Sequence, residues 1–178
     1  MKIHSLSQSV CFTGHRSKKL VQSEEEVKHL LTTAIDDAIA VGYTDFFTGM
    51  AEGVDIWAAE IVLHRKEQNN LLHLFCALPY PDFEKGRSDV EQLRYQKIIA
   101  HADEVYTLSF QYTRNCYDVR NRFMADNASL VIAAWNGTAS GTKNTIAYAL
   151  KKGRRVINVL SGNFKKEPPS LSKTPFRD

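Results

Sequence analysis

Segments typical of β-strands alternate with segments typical of α-helices along almost the whole sequence. Short runs rich in β-branched and aromatic residues indicate strands, and apolar residues at i, i+3, i+4 and i+7 indicate helices. Strict alternation predicts an α/β fold of three layers, with a mostly parallel sheet of about six strands and helices on both faces. The predicted strands cover 9–13, 43–48, 71–78, 104–108, 129–135 and 154–160, and the predicted helices cover 24–41, 56–68, 88–102, 117–127 and 143–152.

Two of the predicted helices begin at the spacing of a capping box. Ser23 stands three residues before Glu26, and Ser88 stands three residues before Glu91. In this motif the serine hydroxyl and the glutamate carboxylate each accept a hydrogen bond from a backbone N–H of the first turn. Both serines therefore mark predicted helix N-termini.

The composition is that of a globular domain. Of the 178 residues, 43% are hydrophobic and 24% are charged, which excludes a disordered or fibrous chain. The sequence has neither an apolar run of about 18 residues nor a signal peptide, so a cytoplasmic protein without a membrane span is expected. One domain over 1–162 and a flexible tail over 163–178 are predicted.

The net charge and the cysteine spacing argue against nucleic acid and metal ions as ligands. The 23 Lys and Arg residues exceed the 20 Asp and Glu residues by only three, and this small, scattered charge argues against nucleic acid as a partner. Cys11 and Cys76 lie in apolar runs, where an inert buried thiol is expected. With Cys116 they form no zinc-like spacing, so no metal site is predicted.

Three glycine-containing turns are expected at one edge of the sheet, because the carboxyl ends of parallel strands lie together. They read TGHR after the first strand, GMAEGVD after the second and NGTASGTK after the fifth. Glycine lets backbone N–H groups approach an anion, and a helix N-terminus adds partial positive charge. These turns predict a phosphate-binding site, although each glycine alone could simply form a tight turn. Its candidate residues are Gly14, His15, Arg16, Gly49, Gly53, Asp55, Gly137, Ser140, Gly141, Thr142 and Lys143.

Further candidates come from other loops at the same edge. Arg120, near the start of the fourth helix, could hold a phosphate or carboxylate bidentately. The alternative is a surface helix on which it forms exposed ion pairs of little energetic value. The aromatic residues of these loops could stack on a base or pack locally; they are Tyr80, Phe83 and Tyr112.

Two residues are candidates for acid–base chemistry. His15 lies in a glycine turn beside Arg16 and is the histidine for which a functional role is predicted. Glu52 lies in the second turn and could act as a carboxylate acid or base. Asp55 has two interpretations, because an aspartate at this point also suits the N-cap of the second helix.

The order and spacing of four motifs, TGHR, GMAEGVD, RNRFM and SGTKNT, resemble those of the SLOG superfamily. This superfamily unites DprA/Smf-type DNA-processing proteins with LOG-type nucleoside-monophosphate phosphoribohydrolases. The chain is most similar to its small, single-domain YpsA-like branch, over about residues 8–160. The resemblance implies a Rossmann-like sheet whose glycine turns bind a nucleotide or nucleotide-derived ligand, and it also implies a homodimer.

The resemblance also assigns individual positions. Gly49, Gly53 and Asp55 match a DprA-like G-x-A-x-G-x-D turn. The helix before the phosphate loop is matched by Arg120 and Asn121, and the Gly-Thr pair of that loop by Gly141 and Thr142.

One position departs from the LOG-type pattern P-G-G-x-G-T-x-x-E, whose final glutamate supports cleavage of the N-glycosidic bond. Thr145 stands at that position, and a threonine cannot act as a carboxylate base. The proline and the paired glycines of the pattern are also missing. LOG-type hydrolysis is therefore not expected.

Three functions remain open from the sequence. The first is a sensor or regulatory domain that binds NAD, ADP-ribose or a similar nucleotide, which needs no catalytic carboxylate. The second is a nucleotide-processing hydrolase that uses Glu52, Asp55 or His15 as acid or base. The third is DprA-like DNA binding, ranked last because the charges are nearly balanced.

Overall fold

A computed structural model describes residues 5–161 and confirms the α/β fold. All six strands are parallel and form one sheet in the order β4-β3-β2-β1-β5-β6. The predicted tail over 163–178 lies outside the described residues. The elements are β1 (Ser9–Gly14), α1 (Glu24–Ala40), β2 (Asp45–Thr48), α2 (Val54–Lys66), β3 (His73–Leu78), α3 (Asp89–His101), β4 (Glu104–Thr107), α4 (Cys116–Asp126), β5 (Leu130–Ala134), α5 (Gly141–Lys151) and β6 (Arg155–Asn158).

The strand order reverses its direction between β1 and β5. From β1 the chain proceeds outward to β4, and it then returns to the other side of β1 to form β5 and β6. At the carboxyl ends of the two central strands, Gly14 pairs with Ala134. The connections that leave these two strands diverge to opposite sides, which opens a crevice where parallel α/β sheets bind ligands.

The sheet separates two layers of the hydrophobic core. In β1, Val10 and Phe12 belong to the cluster packed against α1, α2 and α3, whereas Cys11 belongs to the cluster packed against α4 and α5. This alternation follows from the two-residue period of a strand. Because both faces are covered, the central strands are buried along almost their whole length, and β3 is continuously apolar from Leu74 to Leu78.

Serine residues cap three of the helices. The box at Ser23 is complete, since its hydroxyl accepts from the Glu26 N–H at 3.2 Å and its N–H donates to Glu26 Oε2 at 2.7 Å. At α3 the Ser88 hydroxyl accepts from the Glu91 N–H, but the Glu91 carboxylate pairs with Arg94. Ser140 caps α5, which therefore begins two residues before the predicted start.

Two further expectations from the sequence concern the burial of the cysteine thiols and the length of the apolar segments. Cys11 and Cys76 are buried free thiols, as is Cys116. Burial raises the pKa of Cys76 to about 12, which keeps its thiol protonated and unreactive near neutral pH. Over residues 5–161, none of the helices combines the length and the apolar character needed to cross a bilayer.

Candidate functional site

An open cleft of about 570 Å³ lies at the carboxyl edge of the sheet, where β1 and β5 diverge. We call it the switch-point cleft. Residues of five different connections and helix starts meet in it, although they span more than 120 positions of the chain. Its lining is Thr13, Gly14, His15, Arg16, Lys19, Ala51, Glu52, Asp55, Tyr80, Phe83, Lys85, Gly86, Arg87, Tyr117, Arg120, Asn121, Met124, Ser140, Gly141 and Thr142.

Most of the predicted ligand residues line this cleft, and four of them do not. Gly49 and Gly53 lie behind the lining, where they let neighbouring groups approach the backbone. Gly137 has φ +90° and open space around it, so it forms a turn of the loop before α5. Lys143 is exposed in the first turn of α5 and is not among the lining residues.

Two glycines pack the first two turns against each other. A Cβ added at Gly14 would lie 2.5 Å from the Val54 side chain, at the start of α2. Gly53 has φ +92°, and a Cβ there would lie 2.9 to 3.0 Å from backbone atoms of Ser17 and His15. Only glycine fits these contacts without displacement of the Val54 side chain at the first position and of the backbone at the second. The turns after β1 and β2 are thereby held as one floor of the cleft.

His15 is buried, with only 2% of the residue exposed, although it lies in a turn. Its backbone N–H donates to the Ala134 carbonyl at 3.3 Å, across the β1–β5 boundary. Burial lowers its pKa, nearby Lys19 acts in the same direction, and a hydrogen bond with Asn136 opposes them. Among the described residues, its Nε2 has no hydrogen-bond partner. The imidazole is therefore mainly neutral at physiological pH, when it can act as donor or acceptor.

The turn after β2 is held by polar contacts from inside the protein. The Thr48 hydroxyl donates to the Asp55 carbonyl at 2.8 Å and accepts from the Met50 N–H at 3.3 Å. Asp55 Oδ2 accepts from the Ala51 N–H at 3.3 Å. The N-cap of α2 is Gly53, so the N-cap interpretation of Asp55 was wrong. Its carboxylate instead stabilises the turn that precedes the helix.

Arg120 is a buried residue, and two of its guanidinium nitrogens donate hydrogen bonds within the protein. Its Nη1 donates to the Gly49 carbonyl, and its Nε donates to Asn121 Oδ1 at 2.7 Å. Nη1 also lies 3.7 Å from Asp55 Oδ2. The alternative of a surface helix with exposed ion pairs therefore fails for Arg120, and the side chain acts chiefly on the β2 turn.

Helix α5 points its N-terminus at the cleft. Its first residue is Gly141, and a Cβ added there would meet nothing within 4 Å. The unpaired N–H groups of a first turn and the helix dipole favour an anion at this end. Thr142 is buried next to Gly141, and Ser140 and Thr142 both line the cleft. This end of α5 therefore presents both N–H and hydroxyl groups to the cavity.

Positive charge predominates in the cleft, which the sequence patterns anticipated only in part. The lining has two carboxylates, Glu52 and Asp55. The same lining has five cations: Arg16, Lys19, Lys85, Arg87 and Arg120. The loop from β3 to α3 contributes Lys85 and Arg87, which sequence reasoning missed. Their signal was a pair of cations around Gly86 in a loop at the carboxyl edge.

Arg87 contacts both the aromatic residues of the cleft and the backbone of the turn after β2. Its guanidinium carbon lies 4.6 Å from the centre of the Phe83 ring and 5.3 Å from that of Tyr95. Its Nη2 donates to the Met50 carbonyl at 2.8 Å. Of the predicted stacking residues, Tyr80 and Phe83 line the cleft, whereas Tyr112 packs edge-on against Tyr80 just outside it.

The acid–base candidates are both part of the lining. Glu52 Oε1 accepts a hydrogen bond of 3.4 Å from the Ser17 hydroxyl, and His15 lies in the neighbouring turn.

Thr145 is 2% exposed, and its hydroxyl donates to the Gly141 carbonyl at 2.9 Å. Within residues 5–161, no three His, Cys, Asp or Glu side chains cluster closely enough to hold a metal ion.

Proteins of Bacillus species are similar to this chain in sequence, at low identity. YoqJ, an uncharacterised SPbeta prophage-derived protein of Bacillus subtilis, is 27% identical over 118 residues, which are 60% of this chain and 69% of that protein. A UPF0398 protein of Bacillus thuringiensis is 24% identical over 108 residues, which are 60% of this chain and 59% of that protein. The chain thus spans about three fifths of the length of its UPF0398 relatives.

Among the solved structures that share the fold are two of DNA processing protein A (DprA). The protein of Streptococcus pneumoniae matches with a TM-score of 0.59 and 20% identity, over 84% of this chain and 49% of that one. The protein of Helicobacter pylori, described by its single-stranded DNA binding mode, matches with a TM-score of 0.61 and 19% identity, over 85% of this chain and 64% of that one.

The expectation that nucleic acid is not a partner is contradicted by this likeness, because a protein with the same fold binds single-stranded DNA. The expectation was based on the net charge of the whole chain, which is +3. Net charge averages over the surface, whereas binding depends on the local field. The five cations of the switch-point cleft are such a local concentration.

A family model extends over most of the chain. It matches residues 10–158, from β1 to the end of β6, and so includes every connection that reaches the switch-point cleft. The predicted resemblance to the YpsA-like branch is confirmed by this match. The chain belongs to the YspA SLOG family.

Proposed function

We propose that the switch-point cleft binds a nucleotide or a nucleotide-derived ligand, with its phosphate at the N-terminus of α5. The observation that carries the proposal is the meeting of that helix end with Arg16 and Lys19 in one cavity. A helix N-terminus and nearby cations together favour a dianionic group. NAD, ADP-ribose and related phosphate esters are the ligands of this class that we consider first.

A binding role is favoured over LOG-type hydrolysis by Thr145. Its side chain is buried and its hydroxyl is occupied by the Gly141 carbonyl, so it supports the start of α5. Glu52 is the carboxylate that could replace the missing glutamate, since it lies in the same cleft. Catalysis through Glu52 predicts release of free base or ribose from a bound nucleotide, and loss of that release in Glu52→Gln.

Single-stranded DNA is the second candidate ligand. The likeness to DprA supports it, as does the excess of cations over carboxylates in the cleft. A strand bound at several phosphates releases counterions, so its affinity would fall steeply with salt. A small nucleotide held mainly by the helix end would show a shallower dependence.

Calorimetric titration of the purified chain with NAD, ADP-ribose, AMP and a single-stranded oligodeoxyadenylate tests the proposal. Lys19→Ala is the informative variant and Lys18→Ala is its matched control, since the two lysines are adjacent and exposed but only Lys19 lines the cleft. We expect Lys19→Ala to weaken binding by about tenfold, the effect of one charged hydrogen bond. Equal effects in the two variants, or no binding of any compound, would overturn the proposal.

A further inference from the structure

The connection from β4 to α4 carries an unusual set of exposed side chains. Phe110 is fully exposed and Tyr112 is 62% exposed. Arg114 follows at the next alternate position and is also exposed. Leaving two large aromatic side chains in water forgoes the stabilisation that their burial would provide. The connection is held at its first residue, where the Leu108 N–H donates to the Leu78 carbonyl at 3.0 Å.

This connection is continuous with the switch-point cleft through a row of rings. The Tyr112 ring lies 5.6 Å from that of Tyr80 and 6.5 Å from that of Tyr117, edge-on in both cases. Tyr80 lies 6.0 Å from Phe83, on which Arg87 stacks. We call Phe83, Tyr80, Tyr117 and Tyr112 the aromatic row. It begins in the lining of the cleft and ends at an exposed ring outside it.

The row has the chemistry of a surface that binds single strands. Such surfaces combine cations that follow the phosphates with aromatic rings on which successive bases stack. Here the cations lie at both ends, with Lys85 and Arg87 in the cleft and Arg114 beyond Tyr112. A ligand confined to the cleft would leave Phe110 and Tyr112 unused. A strand that leaves the cleft along the row would cover them.

We propose that the aromatic row, together with the exposed residues Phe110 and Arg114, binds the nucleotide that follows the one in the cleft. The ligand class is then a single-stranded nucleic acid of at least two nucleotides, and Tyr112 is its outer stacking residue. This inference rests on the proposed function, because the first nucleotide occupies the switch-point cleft.

The test compares ligands of increasing length on the full chain. Fluorescence-detected binding is measured for dAMP and for 5′-phosphorylated oligodeoxyadenylates of two, four and six nucleotides, with wild type, Tyr112→Ala and Tyr112→Trp. Leu71→Ala is the control, since Leu71 is an exposed apolar residue at the opposite edge of the sheet. We expect Tyr112→Ala to weaken oligonucleotide binding at least about fivefold, as one lost stack does, and to leave dAMP binding unchanged. Tyr112→Trp retains a stacking face and should bind like wild type.

The outcomes separate the inference from the proposed function. Equal affinity for dAMP and for the longer strands in wild type would overturn the inference and leave the proposed function standing. Failure of dAMP and of every oligonucleotide to bind would overturn the inference, and the titration with NAD, ADP-ribose and AMP would then decide the proposed function separately. Sedimentation of the same variants tests whether a second copy of the chain covers the exposed rings instead. If Tyr112→Ala alters self-association but not the affinity for oligonucleotides, the rings form a contact between two copies of the chain, and the inference is wrong.

Discussion

Arg120 and Asp55 form an ion pair within the lining of the switch-point cleft, with 3.7 Å between Nη1 and Oδ2 and only 7% of each side chain exposed. Burial raises the pKa of Asp55 and lowers the pKa of Arg120, and in each case the charge of the partner opposes the shift. The pair joins α4 to the start of α2. It therefore supports the β2 turn at the wall of the ligand cavity.

Arg120→Ala should destabilise the protein before it affects binding. The substitution leaves the Asp55 carboxylate buried without its cation and the Gly49 carbonyl without its donor. Removing one partner of a buried ion pair costs about 3–5 kcal/mol. We expect urea denaturation to show a loss of this size in the free energy of unfolding. The double variant with Asp55→Ala should recover part of the loss. A loss below about 1 kcal/mol would mean that solvent reaches the pair.

Gly49→Ala and Gly141→Val should have opposite consequences. At Gly49 an added Cβ would overlap the Arg120 guanidinium and lie 2.7 Å from Asp55 Oδ2, so we expect a loss of about 1–3 kcal/mol in unfolding free energy. At Gly141 the space is open, and stability should change by less than about 0.5 kcal/mol.

The Gly141→Val side chain would, however, occupy the cleft lining at the N-terminus of α5. We expect this stable variant to lose ligand binding at least about tenfold, in the same titration that compares the two lysines. Normal binding by Gly141→Val would place the ligand elsewhere in the cavity. Unchanged stability in Gly49→Ala would show that the Arg120 side chain can move aside at no cost.

His15 should make stability depend on pH. Burial holds its pKa below the ordinary value of 6.5, so the unfolded chain takes up a proton at this residue before the folded chain does. The free energy of unfolding should therefore fall as the pH drops below about 6.5, until the lower pKa of the folded state is reached.

Urea midpoints at pH 7.5, 6.5 and 5.5 measure this effect, with His15→Gln as the comparison. The variant keeps a polar side chain but cannot titrate in this range, so its midpoint should fall less than that of wild type. Parallel curves for the two proteins would contradict the prediction, and would indicate that the imidazole is hydrated in the folded state.

Local patterns predicted the elements well because their causes are local. The capping residues Ser23 and Ser88 and the apolar run of β3 are explained by hydrogen bonds and burial within one segment. The start of α5 was misplaced by two residues, since the serine that caps it follows a glycine turn that could have ended at several positions. Thr142 therefore lies in a helix and not in the predicted loop.

Contacts between distant segments could not be predicted in the same way. Sequence spacing brought Arg120 to the correct edge of the sheet, but its partners Gly49 and Asp55 are about 70 positions away. Whether its guanidinium faces a ligand or the protein depends on how α4 packs on β3. Arg87 was missed for a related reason, because its position depends on Phe83 and Met50.

By itself, the sequence determined the alternation of strands and helices, the parallel sheet and the edge at which its glycine turns gather, because periodicity, caps and right-handed crossovers leave few other arrangements. Only the tertiary structure decided which side chains meet there: Lys19, Lys85 and Arg87 surround one cavity, while Lys143 stays outside it. Side-chain direction is set by packing between elements, which is a property of the whole fold and not of any one segment.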